Sequence, residues 1–184
     1  MAYTNNFHSK YQFLPLFKYI PSRYQYLTDW QQGNQRLVYE FKEGHCTEEH
    51  MKLFVDAILK VVKDQPQEWV VSYVPASTKA KHHNRFCNLA TYIKEHTGCL
   101  SDPNLIYRDY DHEPVHRTGH TGQIEDLKLK DNFDYHKKFI LIDDLITTGK
   151  SFRTVGDKLM EKGALTVKGI IFAMTIHPNL PIKK

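Results

Sequence analysis

Cysteine is scarce. Cys46, Cys87 and Cys99 are the only three in 184 residues. An odd number, at spacings that match neither a zinc ribbon nor a CxxC redox pair, argues against a disulfide framework and for a reducing compartment. Long apolar runs are missing too. None approaches the ~18 residues of a membrane-spanning helix, so a membrane role is not expected. The stretch 1–17 has no basic start followed by an apolar core and a small-residue cleavage site, so a cytoplasmic location is expected. Charge of one sign is nearly absent as an excess: 25 Lys and Arg face 21 Asp and Glu, for a formal net charge of +4 beside 11 histidines. That balance suits a phosphate-rich small ligand and lacks the clustered basic stripe that indicates nucleic acid. No repeat and no low-complexity segment occurs. What is present is an ordinary globular composition, 41% hydrophobic and 25% charged, in a chain long enough to bury one core without a metal or disulfide staple.

The order of patterns points to an α/β fold. The first 45 residues are aromatic (Tyr11, Phe13, Phe17, Tyr19, Tyr24, Tyr26, Trp30) and broken by Pro15 and Pro21. They read as an irregular wrapping segment or hood, with one short strand at 36–41. From Thr47, an N-cap followed by Glu48 and Glu49, apolar residues recur at Met51, Phe54, Val55, Ile58, Leu59 and Val62, one face of a helix. Residues 68–75 form a buried strand closed by Pro75. Phe86, Leu89, Ala90 and Ile93 mark a second helix ended by Gly98, and 105–107 a short strand. Residues 138–144 and 167–175 are continuous apolar strands. Between them Phe152, Val155 and Leu159 mark a helix stopped by Gly163. Buried strands alternating with amphipathic helices predict a central, mainly parallel sheet flanked by helices. The polar, histidine-rich stretch at about 108–132 has no period and reads as a functional loop. On this reading residues 46–184 are the core.

The chemistry concentrates in Phe139–Ser151, FILIDDLITTGKS. It is a strand, then two carboxylates at its C-terminal end, a turn of small residues and a helix start. In open α/β sheets ligands bind at that edge. The turn Thr147, Thr148, Gly149, Lys150 and Ser151 offers successive N–H groups and hydroxyls at a helix N-terminus, which suits a phosphate. Asp143 and Asp144 cannot bind that anion. They can accept hydrogen bonds from sugar hydroxyls or reach a magnesium ion through water. Phosphate on one side and a diol on the other describe a ribose 5-phosphate. Three other readings compete. A nucleotide P-loop needs glycine where Asp144 stands. A receiver-type phosphoacceptor places its acids near the start of the domain. A plain helix cap accounts for Gly149 and Ser151 but not for two acids followed by Thr-Thr-Gly.

This stretch resembles the phosphoribosyl pyrophosphate signature of type I phosphoribosyltransferases: four apolar residues, two acids, two variable positions, Thr-Thr-Gly, one residue, then Ser or Thr. Val38–Lys42, Val70–Pro75, Arg85-Phe86 and Asn88 further resemble the ComF-like competence-protein branch. The glycine of that branch's Arg-Gly-Phe-Asn and its zinc-binding cysteines are absent here.

The resemblance implies a type I phosphoribosyltransferase fold and magnesium-assisted displacement of pyrophosphate from phosphoribosyl pyrophosphate by a base or amine, in nucleotide metabolism. It implies that Asp143 and Asp144 hold the ribose hydroxyls and the Mg2+ shell, and that Thr147–Ser151 hold the 5-phosphate. Ser77, Thr78 and Lys79 after the first core strand would cradle pyrophosphate. Arg85, read as lying at the next helix start where a cation opposes the dipole, would find an anionic partner there and join the pyrophosphate-binding set. Arg108 and Arg117 of the loop would complete the catalytic set with the two acids. His112, His116 and His120 are acid–base candidates or surface histidines. Dimers are common in the family. A non-catalytic protein that senses phosphoribosyl pyrophosphate is the alternative.

Overall fold

A computed structural model of the chain describes residues 10–108 and 127–182. Five strands form one sheet in the order β1-β7-β6-β2-β3, and every neighbouring pair is parallel. The strands are β1 (Gln12–Tyr19), β2 (Trp69–Tyr73), β3 (Leu100–Ser101), β6 (Lys138–Ile146) and β7 (Thr166–Thr175). Two more, β4 (Ile106–Arg108) and β5 (Leu127–Leu129), pair antiparallel as a separate ribbon. The helices are α1 (Asp29–Lys42), α2 (Glu48–Val62), α3 (Lys79–Thr97) and α4 (Lys150–Glu161). The α/β architecture with a parallel central sheet is as the pattern predicts.

Strand alternation divides the core in two. Ile140 and Ile142 of β6, with Ile170 and Phe172 of β7, face a layer built from α1, α2 and α3. Phe139 and Leu141, with Val167 and Ile171, face α4 and the β4–β5 ribbon. Phe139–Ile142 and Ile170–Ala173 are apolar and buried on both faces, which is why β6 and β7 read as continuous runs rather than alternating ones. Among the described residues no helix is long and apolar enough to cross a membrane.

The first 45 residues depart from the expectation. Their described part is not irregular: it contributes an edge strand and a four-turn helix. β1 pairs with β7 from Gln12↔Lys168 to Tyr19↔Thr175. Pro15 is tolerated because an edge strand has one side without a ladder to complete. Residues 36–41, read as a strand, are the second half of α1. This helix starts from a capping box in which Thr28 accepts from the Gln31 N–H and the Gln31 side chain from the Thr28 N–H. It buries only Asn34, Val38 and Phe41, so its helical stripe is one residue wide. Phe41 stacks on Phe172 with ring centroids 4.1 Å apart and planes 9° apart.

The stretch 108–132 also differs at its ends. Leu127–Leu129 and Ile106–Arg108 zip together, with Arg108 opposite Leu127. Arg117, His112, His116 and His120 lie outside the described residues, as does most of the expected loop.

Candidate active site at the sheet's switch point

The connection from β2 through α3 runs outward to β3, whereas the one from β6 through α4 runs the other way to β7. The chain therefore reverses direction between β2 and β6, and a crevice opens there at the C-terminal edge. β6 also outlasts its neighbour. The β2 ladder ends at Tyr73↔Ile142, and a last bond from the Val74 N–H to the Ile142 carbonyl follows at 2.8 Å. Pro75 then turns the chain away, leaving Asp143–Ile146 uncovered on that side.

Two cavities lie at this edge. One, of about 210 Å³, is lined by Asp143 and by Thr147–Phe152. Gly149 precedes α4 with φ +72°, the left-handed conformation that glycine adopts without strain, and as the N-cap it brings no side chain onto the N–H groups of the first turn. The Thr147 and Thr148 side chains are exposed. Thr147 Oγ1 shares a 2.9 Å hydrogen bond with Thr175 Oγ1, tying the turn to β7. Thr148 Oγ1 accepts from the Lys150 N–H, and the Lys150 side chain is exposed. The structure thus brings Asp143, Thr147, Thr148, Gly149, Lys150 and Ser151 around one polar hollow at a helix N-terminus. The sequence reading missed Arg153, whose Nη1 would sit 3.4 Å from a Cβ on Gly149.

The larger cavity, about 400 Å³, lies at the end of β2. Its walls include Ser77, Thr78, Lys79, His82, His83, Tyr107 and Arg108. Of the cations expected to meet pyrophosphate or close over it, Lys79 and Arg108 therefore share one cavity. Thr78 also serves as the N-cap of α3, its hydroxyl accepting from the Lys81 N–H at 3.2 Å. The first turn of α3 carries no acid of its own and holds two lysines, Lys79 and Lys81.

His82 is the functional-looking residue that sequence reasoning passed over. It is buried, with Nε2 donating to the Pro103 carbonyl at 2.6 Å and Nδ1 accepting from the Ala76 N–H at 3.4 Å. Burial pushes its pKa down and nearby Arg85 adds to the effect, so the neutral ring pins the β2–α3 turn to the loop before β4. Its position four residues after the Thr78 cap, and four before Phe86, was the available signal.

One expectation is corrected here. Arg85 is not at a helix start. α3 begins at Lys79, so Arg85 lies almost two turns inside, buried on the face that packs against the sheet. Its Nη1 pairs with Asp144 Oδ2, and its Nε and Nη2 donate to the Lys42 carbonyl at 3.2 and 2.6 Å. The anionic partner is a carboxylate of the protein. Asp143 and Asp144, expected to hold ribose hydroxyls and to reach magnesium through water, lie near the end of β6. As strand neighbours they point to opposite faces, Asp143 toward the α4 turn and Asp144 toward α3 and α1. Asp143 is buried and its Oδ1 accepts from the Asp144 N–H at 2.9 Å. Burial, then the adjacent Asp144 charge, raise its pKa well above the usual carboxylate range. Among the described residues no group of three or more His, Cys, Asp or Glu is gathered for a metal ion.

No family model and no curated protein sequence matches the chain, and the ComF-like branch finds no support. Among solved structures, the chain is similar to a glutamic acid mutant from an analysis of an invariant aspartic acid in HPRTs, at 11% identity over 79% of each chain with a TM-score of 0.40.

Proposed function

We propose that this protein binds phosphoribosyl pyrophosphate and transfers its phosphoribosyl group to a nitrogen base or amine with release of pyrophosphate. The observation that carries this reading is the hollow at the end of β6, where a carboxylate and a glycine-led helix N-terminus face one another across a space of about 210 Å³. A sugar phosphate presents the complementary pair: a dianion for the turn and hydroxyls for the acids. The neighbouring cavity at the end of β2, with Lys79 and Arg108 in its wall, suits the diphosphate. In this reading the acceptor nitrogen forms a bond to the ribose C1 as the C1–O bond to pyrophosphate breaks. The negative charge that develops on the leaving group falls beside the Lys79 and Arg108 cations of that wall, which stabilise it.

Magnesium enters this reading as the counter-ion of the diphosphate substrate. The donor set does not fit an ion gripped directly by both carboxylates, because Asp144 is engaged by Arg85 and faces away from Asp143. That engagement is also what favours the second reading, a protein that binds phosphoribosyl pyrophosphate as a signal without turnover: one acid is already neutralised from within.

Titration calorimetry with phosphoribosyl pyrophosphate and magnesium tests the binding. Wild type should bind, and Asp143→Asn/Asp144→Asn should not; a folded wild type that takes up no ligand would refute the proposal. Pyrophosphate release across a panel of bases and amines separates a transferase from a sensor.

A further inference from the structure

Arg85 is the one arginine of the described site that is withdrawn from solvent, its side chain only 9% exposed. Three of its five N–H donors are committed. Nε and Nη2 close on the carbonyl of Lys42, the last residue of α1. A helix end leaves such carbonyls unpaired and carries the negative end of the dipole, so a guanidinium is a fitting cap. The third donor takes Asp144 Oδ2. The chain after α1 is shaped for this approach. Gly44 adopts φ +94°, and a Cβ there would fall 2.9 Å from the Asn84 carbonyl oxygen, so only glycine lets the α1–α2 turn come this close to α3. The arginine is thus held at its far end by a helix terminus and a tight turn, and at its tip it grips a single oxygen of Asp144. The other oxygen, Oδ1, takes no hydrogen bond among the described residues, and the Asp144 side chain keeps 14% of its surface open.

We infer that Arg85 is a positioning residue: it fixes the Asp144 carboxylate so that its free oxygen can accept a hydrogen bond from a ribose hydroxyl, and it does not itself touch the diphosphate. The inference rests on the ribose-phosphate reading above and sharpens it. A carboxylate at the end of a strand, without such a hold, would rotate about χ1 and χ2 and lose that freedom only on binding, at a cost to affinity. A guanidinium locked on a backbone carbonyl removes this cost in advance. It also gives a role to an arginine that stands well inside α3.

The test compares two ligands by titration calorimetry, ribose 5-phosphate and tetrahydrofurfuryl phosphate, which keeps the ring and the phosphate and lacks the hydroxyls. Wild type should prefer ribose 5-phosphate by about tenfold or more, the scale of a hydrogen bond to a charged group. In Arg85→Gln the preference should collapse to within about threefold while the affinity for tetrahydrofurfuryl phosphate stays at the wild-type value, because the α4 turn is built without Arg85. If both affinities fall together with the preference intact, Arg85 is merely structural and the inference is overturned. If both are unchanged and only phosphoribosyl pyrophosphate binds more weakly, Arg85 contacts the diphosphate and the inference is again overturned. A wild type with no preference at all overturns the underlying reading, and does so before any variant is made. Should Arg85→Gln not fold, Arg85→Lys carries the same comparison: it keeps the charge and loses the fork, so a reduced preference supports the inference and an undiminished one overturns it.

Discussion

Replacing Phe41 with alanine would test whether the first 45 residues are an appended hood or part of the core. Phe41 is completely buried, stacks on Phe172 at 4.1 Å, and has Phe54 and Phe86 at 5.9 and 6.2 Å. Deleting a phenyl ring from so closed a site removes its transfer free energy and leaves a cavity, a combined cost of ~3–5 kcal/mol. The offset stack itself accounts for a further ~0.5–1.5 kcal/mol beyond area. Against a total stability on the order of 5–15 kcal/mol, that is a severe loss. It corresponds to a fall in Tm on the order of 10 °C for a chain of this size. Urea unfolding followed in parallel by circular dichroism and by fluorescence of Trp30 and Trp69 measures it. Wild type should give one coincident transition, and Phe41→Ala one transition at lower urea. Phe172→Leu combined with Phe41→Ala should cost less than the two single changes added together, because the stacking contact is removed only once. A cost below ~1 kcal/mol for Phe41→Ala, far under the range for a buried phenyl, would refute this reasoning, as would a separate early transition belonging to α1 and β1. Either result would mean that the segment is attached to the core rather than built into it.

Gly149→Ala should cost roughly 1–2 kcal/mol through its left-handed backbone and should weaken phosphoribosyl pyrophosphate binding by calorimetry while leaving the helix content intact. Gly156→Ala places a methyl 2.8 Å from Tyr11 Cζ, and Tyr11 is held by a 2.6 Å hydrogen bond to Asp157. Overpacking of about 1–3 kcal/mol should appear as a lower urea midpoint, relieved in a Gly156→Ala/Tyr11→Leu double variant. The raised pKa of Asp143 means that the unfolded chain ionises this group first, near pH 4, while the folded protein holds its proton to higher pH. Wild-type stability should therefore fall as pH rises from about 4 through the raised value, and Asp143→Asn should lack that fall and be more stable at neutral pH. Denaturation midpoints measured across this range decide it; parallel curves for the two proteins would contradict the assignment.

The elements that were legible in the sequence are those with strong periodicity. α2 carries seven buried positions and α4 has Phe152, Val155 and Leu159 on one stripe, while β6 and β7 are buried on both faces. Each leaves a pattern that nothing else produces. α1 was illegible because its contact with the core is so narrow. Asn34, Val38 and Phe41 are its only buried residues, and the intervening glutamines and Gly33 dilute the signal. β1 was hidden by Pro15, which marks a break in most contexts and is harmless only on an edge that the sequence does not reveal. The phosphate turn could be read because its chemistry is local: five consecutive residues make it. Arg85 and His82 could not, because their partners are 59, 43 and 21 residues away, and what they do depends on where α3 begins. A start placed near Arg85 turns a buried structural cation into an apparent anion ligand. The Thr78 cap alone moves it inside.

The two adjacent acids pose the opposite problem, since nearness in sequence suggests a common role. On a strand it guarantees divergence. Asp143 belongs to the α4 side of the sheet and Asp144 to the α3 side, and along most of β6 such neighbours could never meet the same ligand. They can do so only where the sheet ends on one flank. β2 stops pairing at Ile142, one residue before the acids, while β7 continues beside β6 to Ile146↔Met174. A ligand lying over the uncovered edge can therefore reach around the strand and touch both faces, with Asp143 reached from the glycine-led turn and Asp144 from its arginine. This accounts for the unequal lengths of β2 and β6: extending the β2 ladder by two residues would close the crevice and separate the carboxylates for good. Inserting two residues before Pro75 should thus preserve the fold and abolish sugar-phosphate binding. Calorimetry on a folded insertion variant that still bound would show that the two acids never act on one ligand.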